Sequence, residues 1–271
     1  MPMRLSVRHE THFEYDTPLT YSVQRLCLWP TDFASQKTVN WAITCPGFET
    51  ALSYTDGFGN RVHLVTFEKG SGTFSVVAEG LVDCSDTAGV VRGLWATAPD
   101  TVFLRQTRTT APSAAMRSMV EKLKATPDNV LSAMHGLMGE IHTRITYETG
   151  ATNAHTTGAE AFADGKGVCQ DHAHVFIGAA RCIGIPARYV TGYLVTGEGA
   201  SSTAAHAWAE AHVPGLGWVG FDAANNTCPT DHYVRVAAGI DASTVTPIRG
   251  SRRGGEVERM RVEVRVEIAQ Q

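Results

Sequence analysis

No apolar run in the chain approaches the length of a membrane span. Its start, Met1-Pro2-Met3-Arg4-Leu5, lacks the apolar stretch of a secretory signal. There is no Cys-x-x-Cys pair; Cys27, Cys45, Cys84, Cys169, Cys182 and Cys228 are scattered. In a chain of 271 residues that scatter is not a disulfide framework, and reduced, buried thiols are expected. No basic stretch offers a nucleic-acid surface, and the net charge is −4. Arg252-Arg253 and the mixed charges beyond read as a solvated turn and strand face. No acidic oxygen-ligand loop suggests calcium, and there is no internal repeat. These absences predict a cytoplasmic protein without nucleic-acid or membrane partners. What is there is ordinary globular composition, 43% hydrophobic and 18% charged, enough for one large domain or two modest ones.

The first hundred residues read as β structure. From Leu5 to Tyr15 the odd positions are Leu5, Val7, His9, Thr11, Phe13 and Tyr15, a period-two pattern with one apolar-leaning face. Val39, Trp41 and Ile43 alternate in another strand. Asp56-Gly57-Phe58-Gly59-Asn60 is a turn, followed by apolar Val62, Leu64, Val65 and Phe67, and a further strand covers 74–82. Short strands with turn punctuation predict an antiparallel sandwich or barrel. His9, His12, His63 and Cys45 have no partner at meaningful spacing there, so the segment should wall a cleft or recruit a partner.

Composition then shifts. From about Ser113, Met116, Met119, Val120 and Leu123 fall at helical spacing. Val130, Leu131, Met134, Leu137, Met138 and Ile141 form a second apolar stripe, read as core. Residues 150–158 read as a loop, and a third helix should begin near Cys169, burying Ala173, Phe176, Ile177 and Ala180 before Gly184 and Pro186. Three strands follow over 187–195, 205–213 and 218–222, with a loop over 196–203. Val262, Val264, Val266 and Ile268 alternate with charged residues in a half-buried strand of open sheet membership. The expected division is a β-rich domain over 1–98, a core over 99–250 and the strand over 251–271.

Three residues carry chemistry. Cys169 sits in Gly167-Val168-Cys169-Gln170-Asp171, where a glycine turn feeds a helix. His206 sits in Ala205-His206-Ala207-Trp208, and Asp222 ends Gly217-Trp218-Val219-Gly220-Phe221-Asp222. Thiol, imidazole and carboxylate in these contexts point to a nucleophile, its base and an orienter. A helix N-terminus favours the thiolate, and the Cys169 N–H could face a developing oxyanion. Tyr147 and Gln170 are candidates for a second donor, although Tyr147 equally suits a core. His206, Trp208, Glu210 and His212 share one strand face, which makes Trp208 a supporting residue. Pairing His212 with Trp218 puts His206 and Asp222 on one face, and demands a five-residue loop or bulge. Alone, each residue has an ordinary structural explanation; together they define a site. Cys169-x-x-His172-x-His174 and Cys228-x-x-x-His232 keep a zinc site open as a competing reading, without conventional paired spacing.

These residues resemble the bacterial transglutaminase-like superfamily, cysteine enzymes related in fold to papain-type proteases. The segment 167–174 looks like its nucleophile motif, 184–193 like the helix-to-strand segment after it, 206–210 like its His motif and 217–225 like its Asp motif. Ala223-Ala224 stands where Pro-Thr is more usual, and Ile240 and Ala242 where Arg and Tyr are common. Thr11-x-Phe13-x-Tyr15 and 56–60 look like the N-terminal domain of bacterial members, and 239–250 like the closing segment, so the likeness covers nearly the whole chain. It implies an α+β fold: an antiparallel β-sandwich-like domain, then a papain-like core with its nucleophile on a helix packed against an antiparallel sheet. It implies Cys169 as nucleophile, His206 as base and acid, Asp222 as orienter, and no cofactor or metal. The implied substrate is a peptide or protein amide, attacked to give an acyl-enzyme released to water (peptidase or amidase) or to an amine (transglutaminase). Competing readings are a non-catalytic binding module on the same fold and a zinc hydrolase.

Overall fold

The structure, a computed structural model, describes residues 2–68, 72–195 and 205–269. The loop expected over 196–203 lies outside the described residues. The chain opens with β1 (Met3–Tyr15), β2 (Tyr21–Trp29), β3 (Gln36–Thr44), β4 (Leu52–Thr55), β5 (Arg61–Glu68), β6 (Thr73–Cys84) and the short β7 (Val90–Val91). Alternation in β1 works as read: Leu5, Val7, Phe13 and Tyr15 are buried while Arg8 and His12 face out. Phe74 of β6 stacks on Phe13 at 4.9 Å and meets Phe67 of β5 edge-on at 4.9 Å, which joins two sheets through one aromatic cluster. The strand β2 escapes a hydropathy reading because two of its inward positions, Ser22 and Gln24, are polar. They satisfy each other through a 2.9 Å hydrogen bond from Gln24 to Ser22.

Helices follow: α1 (Ala114–Glu121), capped by Ser113, and α2 (Val130–Arg144). Then come β8 (Thr146–Tyr147), α3 (Gly158–Asp164), β9 (Lys166–Gly167) and α4 (Cys169–Cys182). The helix α3 falls at the edge of the expected loop. Its signal was present: Thr157 and Glu160 form a reciprocal capping box. Next are β10 (Ala187–Leu194), β11 (His206–Val213), β12 (Gly217–Phe221) and β13 (Tyr233–Gly239). They form one antiparallel sheet in the order β13-β10-β11-β12-β7. All seven residues of β13 are buried, so its sequence has no alternation to read. The alanines of β11, Ala207, Ala209 and Ala211, clear room for α4, and Phe176 of α4 stacks on Phe221 at 5.2 Å.

The chain ends with β14 (Ile248–Arg253) and β15 (Glu258–Ile268). Both return to the first domain: β14 pairs with β2 and β15 with β1, giving sheets ordered β14-β2-β5-β4 and β15-β1-β6-β3. A division at residue 250 therefore cuts through β14, and the first domain is built from both ends of the chain. A buried hydrogen bond of 2.9 Å joins His9 of β1 to Tyr193 of β10, so His9 has a long-range partner after all. Among the described residues no helix is long and apolar enough to cross a membrane.

Candidate active site

Cys169 is the first residue of α4. Local sequence fixes that end tightly. Asp171 reaches back, and its Oδ2 accepts the Val168 N–H at 2.8 Å and the Thr152 hydroxyl at 2.6 Å. Gly167 is required there because a Cβ would sit 2.8 Å from the Asp171 side chain. Gly165 makes the entry turn at φ +66°, a left-handed position. The His172 ring faces the carbonyls of Val168 at 2.9 Å and Ile145 at 3.1 Å, tying the helix start to the end of α2.

His206 opens β11, and the hairpin register decides what it meets. His212 pairs with Trp218, the register that puts His206 and Asp222 on one face. Pairing continues to Val213 and Gly217, so the turn is three residues, 214–216, rather than the expected five-residue loop. The His206 Nε2 lies 2.6 Å from Asp222 Oδ2. Nδ1 is the nitrogen not spent on Asp222, and Cys169 and His206 line one cleft. Burial pulls the imidazole toward its neutral form, but the hydrogen bonds and charges of Asp222 and Cys169 together outweigh it. The net result pushes His206 up to about 10.

Asp222 is fully buried and satisfied. Its Oδ1 accepts the Ala224 N–H at 3.0 Å and the Asn225 N–H at 3.3 Å. Its Oδ2 also accepts from the Asn225 amide at 2.7 Å and the Tyr233 hydroxyl at 2.9 Å. Burial disfavours the carboxylate, yet these donors and His206 hold it below the usual range. The turn thus closes with Ala223-Ala224 in place. Asn225 and Tyr233 were not singled out from sequence: Asn225 follows the motif as a plain turn residue, and Tyr233 begins the strand that hydropathy concealed. Trp208 stands edge-on to Tyr233 at 5.5 Å, and its ring lies 6.2 Å from that of His206.

Tyr147 is 52% exposed, so it is not a core aromatic, and it is not among the residues that line the cleft. Its hydroxyl is raised by partial burial and by the charges of Cys169 and Asp222. Gln170 lines the cleft beside Cys169. That cleft, about 720 Å³, is also lined by His174, Tyr189, His206, Asp241 and Arg249. Among the described residues nothing before Arg108 lines it, and the β-rich domain reaches the cleft through Arg249 of β14, the strand that pairs with β2. The zinc reading fails on geometry. Both His172 nitrogens face carbonyls, while His174 is buried against Tyr189 with Nε2 accepting the Ala242 N–H at 3.3 Å. No group of three ligand-type side chains gathers among the described residues.

Behind the site, on the same face of β11, Glu210 is buried between two guanidiniums. Arg188 Nε lies 2.6 Å from its Oε2, and Arg235 Nε 2.8 Å from its Oε1. Burial opposes the charge, but the two arginines hold Glu210 down at about 2.

This helix, sheet and cysteine-first geometry is that of a known class. The transglutaminase-like superfamily core matches residues 117–223, and the bacterial transglutaminase-like N-terminal region matches residues 5–83. The chain belongs to the transglutaminase-like superfamily. It is 27% identical over 272 residues to an uncharacterised protein of Mycobacterium tuberculosis, covering 91% of this chain and 87% of that protein. An uncharacterised protein of Mycobacterium leprae is 27% identical over 261 residues, covering 91% and 92%. Among solved structures, a putative cysteine protease from Cytophaga hutchinsonii superposes with a TM-score of 0.72 at 23% identity, covering 97% of this chain and 90% of that one. That likeness establishes the shared fold.

Proposed function

We propose that this chain is a cysteine-dependent amide hydrolase or acyl transferase acting through Cys169, His206 and Asp222. One observation carries the reading: an imidazole bonded at 2.6 Å to a buried carboxylate lines the same cleft as a cysteine that begins a helix. Family membership supports a cysteine-dependent enzyme in general.

In this reading the Cys169 sulfur attacks a peptide or protein amide carbon, and the carbonyl electrons move onto oxygen. The Cys169 N–H, with Tyr147 or Gln170, receives that oxyanion. Protonated His206 then gives its proton to the leaving nitrogen as the C–N bond breaks, leaving a thioester on Cys169. His206, now neutral, takes a proton from water, whose oxygen displaces the sulfur and releases a carboxylic acid. An amine in place of water would give a new amide. Asp222 keeps the ring oriented and stabilises its cationic form. The described residues include all six cysteines, and all are unpaired, which suits the proposed cytoplasmic setting.

The test is intact-mass spectrometry of the protein quenched during turnover of an amide library. A covalent adduct lost in Cys169→Ala supports the acyl-enzyme. Turnover that survives Cys169→Ala would reject it.

A further inference from the structure

The strand β15 is the outermost of its sheet, beside β1, and among the described residues its other edge pairs with nothing. Ala269 donates to the Arg4 carbonyl at 2.9 Å, and one unbroken register runs from there through β15. In an antiparallel ladder, bonding residues alternate. The odd residues of β15 therefore spend their amide groups on β1. The even ones, including Met260, Val262, Val264, Val266 and Ile268, aim N–H and C=O away from the sheet. Their side chains form the inward row. Val264 and Val266 are buried, but Met260 is 59%, Val262 45% and Ile268 37% exposed. The outward row is Arg259, Arg261, Glu263, Arg265 and Glu267, all exposed.

We propose that this edge pairs with the β15 edge of a second copy of the chain, antiparallel about a two-fold axis at Val264. The charge order selects the partner and the register. With Val264 opposite itself, Arg261 faces the partner's Glu267 and Glu263 faces the partner's Arg265, and symmetry repeats both pairs. On the inner face Val262 meets the partner's Val266, and Met260 meets the partner's Ile268. These even residues are the ones with free backbone groups, so the ladder closes with its bonding parity correct. Sliding the pair two residues one way sets Arg261 against Arg265 and Glu263 against itself. Sliding it the other way sets Arg265 against itself and Glu263 against Glu267. A shift of one residue brings the apolar row against the charged row. In the single chain these charges bond along the strand, Arg261 to Glu263 at 2.6 Å and Arg265 to Glu267 at 3.9 Å. Both pairs are exposed and exchange at little cost. Open edges are normally protected by charges that repel a copy; this edge carries charges that fit one. No β15 residue lines the cleft, so the dimer leaves it open.

The test is the oligomeric state of the full chain by light scattering and sedimentation. The chain should be dimeric at about 100 μM, with a Kd tighter than that value. Glu263→Arg puts like charges opposite Arg265 twice per dimer and should weaken association roughly tenfold or more. Glu263→Arg with Arg265→Glu restores complementarity and should bring the dimer back. All these positions are exposed, so folding is not at stake, and melting curves check it. A chain monomeric at that concentration, a dimer indifferent to Glu263→Arg, or a double swap that fails to rescue would each overturn the proposal.

Discussion

Two ends of one strand invite comparison. On the same face of β11, His206 and Glu210 are ionisable groups with oppositely charged partners. Glu210 is fully buried and held by Arg188 and Arg235 from neighbouring strands β10 and β13. Every one of its oxygens is spent on scaffold. His206 has one ring nitrogen spent on Asp222, and it lines an open cleft together with the Cys169 thiol. Both sites shift protonation strongly; only one presents a reactive atom to a ligand. Perturbed ionisation alone does not mark a catalytic group, and the discriminating property is an unsatisfied, accessible partner.

The largest effect expected from breaking the His206 end is on rate. Asp222→Asn keeps the shape but loses the charge that favours the imidazolium, and should lower kcat by about 10³- to 10⁴-fold, with a fall in melting temperature at neutral pH as the His206 pairing weakens. Steady-state kinetics beside a thermal melt checks both halves. At the Glu210 end the effect should move to stability. Glu210→Gln leaves two buried guanidiniums unneutralised and should cost about 3–5 kcal/mol, with activity per folded molecule retained. Denaturant titration of the two proteins measures it.

Acid should separate the two ends further. Glu210 is held at about 2, below its ordinary 4.5, so its contribution is present above about 4.5 and is lost as pH falls through about 2. His206 has the opposite sign. Raised to about 10, its contribution is full below about 6.5 and is lost as pH rises through about 10. Melting curves of the parent and Glu210→Gln should therefore converge toward the acid end. A gap that instead closes in alkali would place the stabilising charge elsewhere. The smallest predicted effect is that of Tyr147→Phe, which should lower kcat about 10²-fold if the tyrosine hydroxyl receives the oxyanion. Unchanged turnover would leave that role to Gln170.

The candidate site was legible in the sequence because its three proposed residues lie in short local motifs, and the parity that pairs His206 with Asp222 required only counting. The supports were less legible. Tyr233 lies on a strand buried on both faces, which removes the period-two signal. Asn225 acts through a turn whose geometry no spacing announces. The first domain's alternating strands were readable, but β2 hid behind inward polar residues and β15 named no partner. Sheet partnership between residues 5 and 268 is a property of the folded chain, not of a window.

The most direct measurement of the central claim is substoichiometric alkylation at neutral pH with mass mapping of all six cysteines. Burial pushes the thiols of Cys27 and Cys45 up to about 11 and Cys84 to about 12, and raises Cys228 as well. Cys182, 3.2 Å from the Arg117 guanidinium, is the strongest competitor. The account predicts that Cys169 labels first, and that Asp222→Asn slows its labelling while leaving Cys182 unchanged. First labelling at Cys182, or a Cys169 rate indifferent to Asp222, would contradict it.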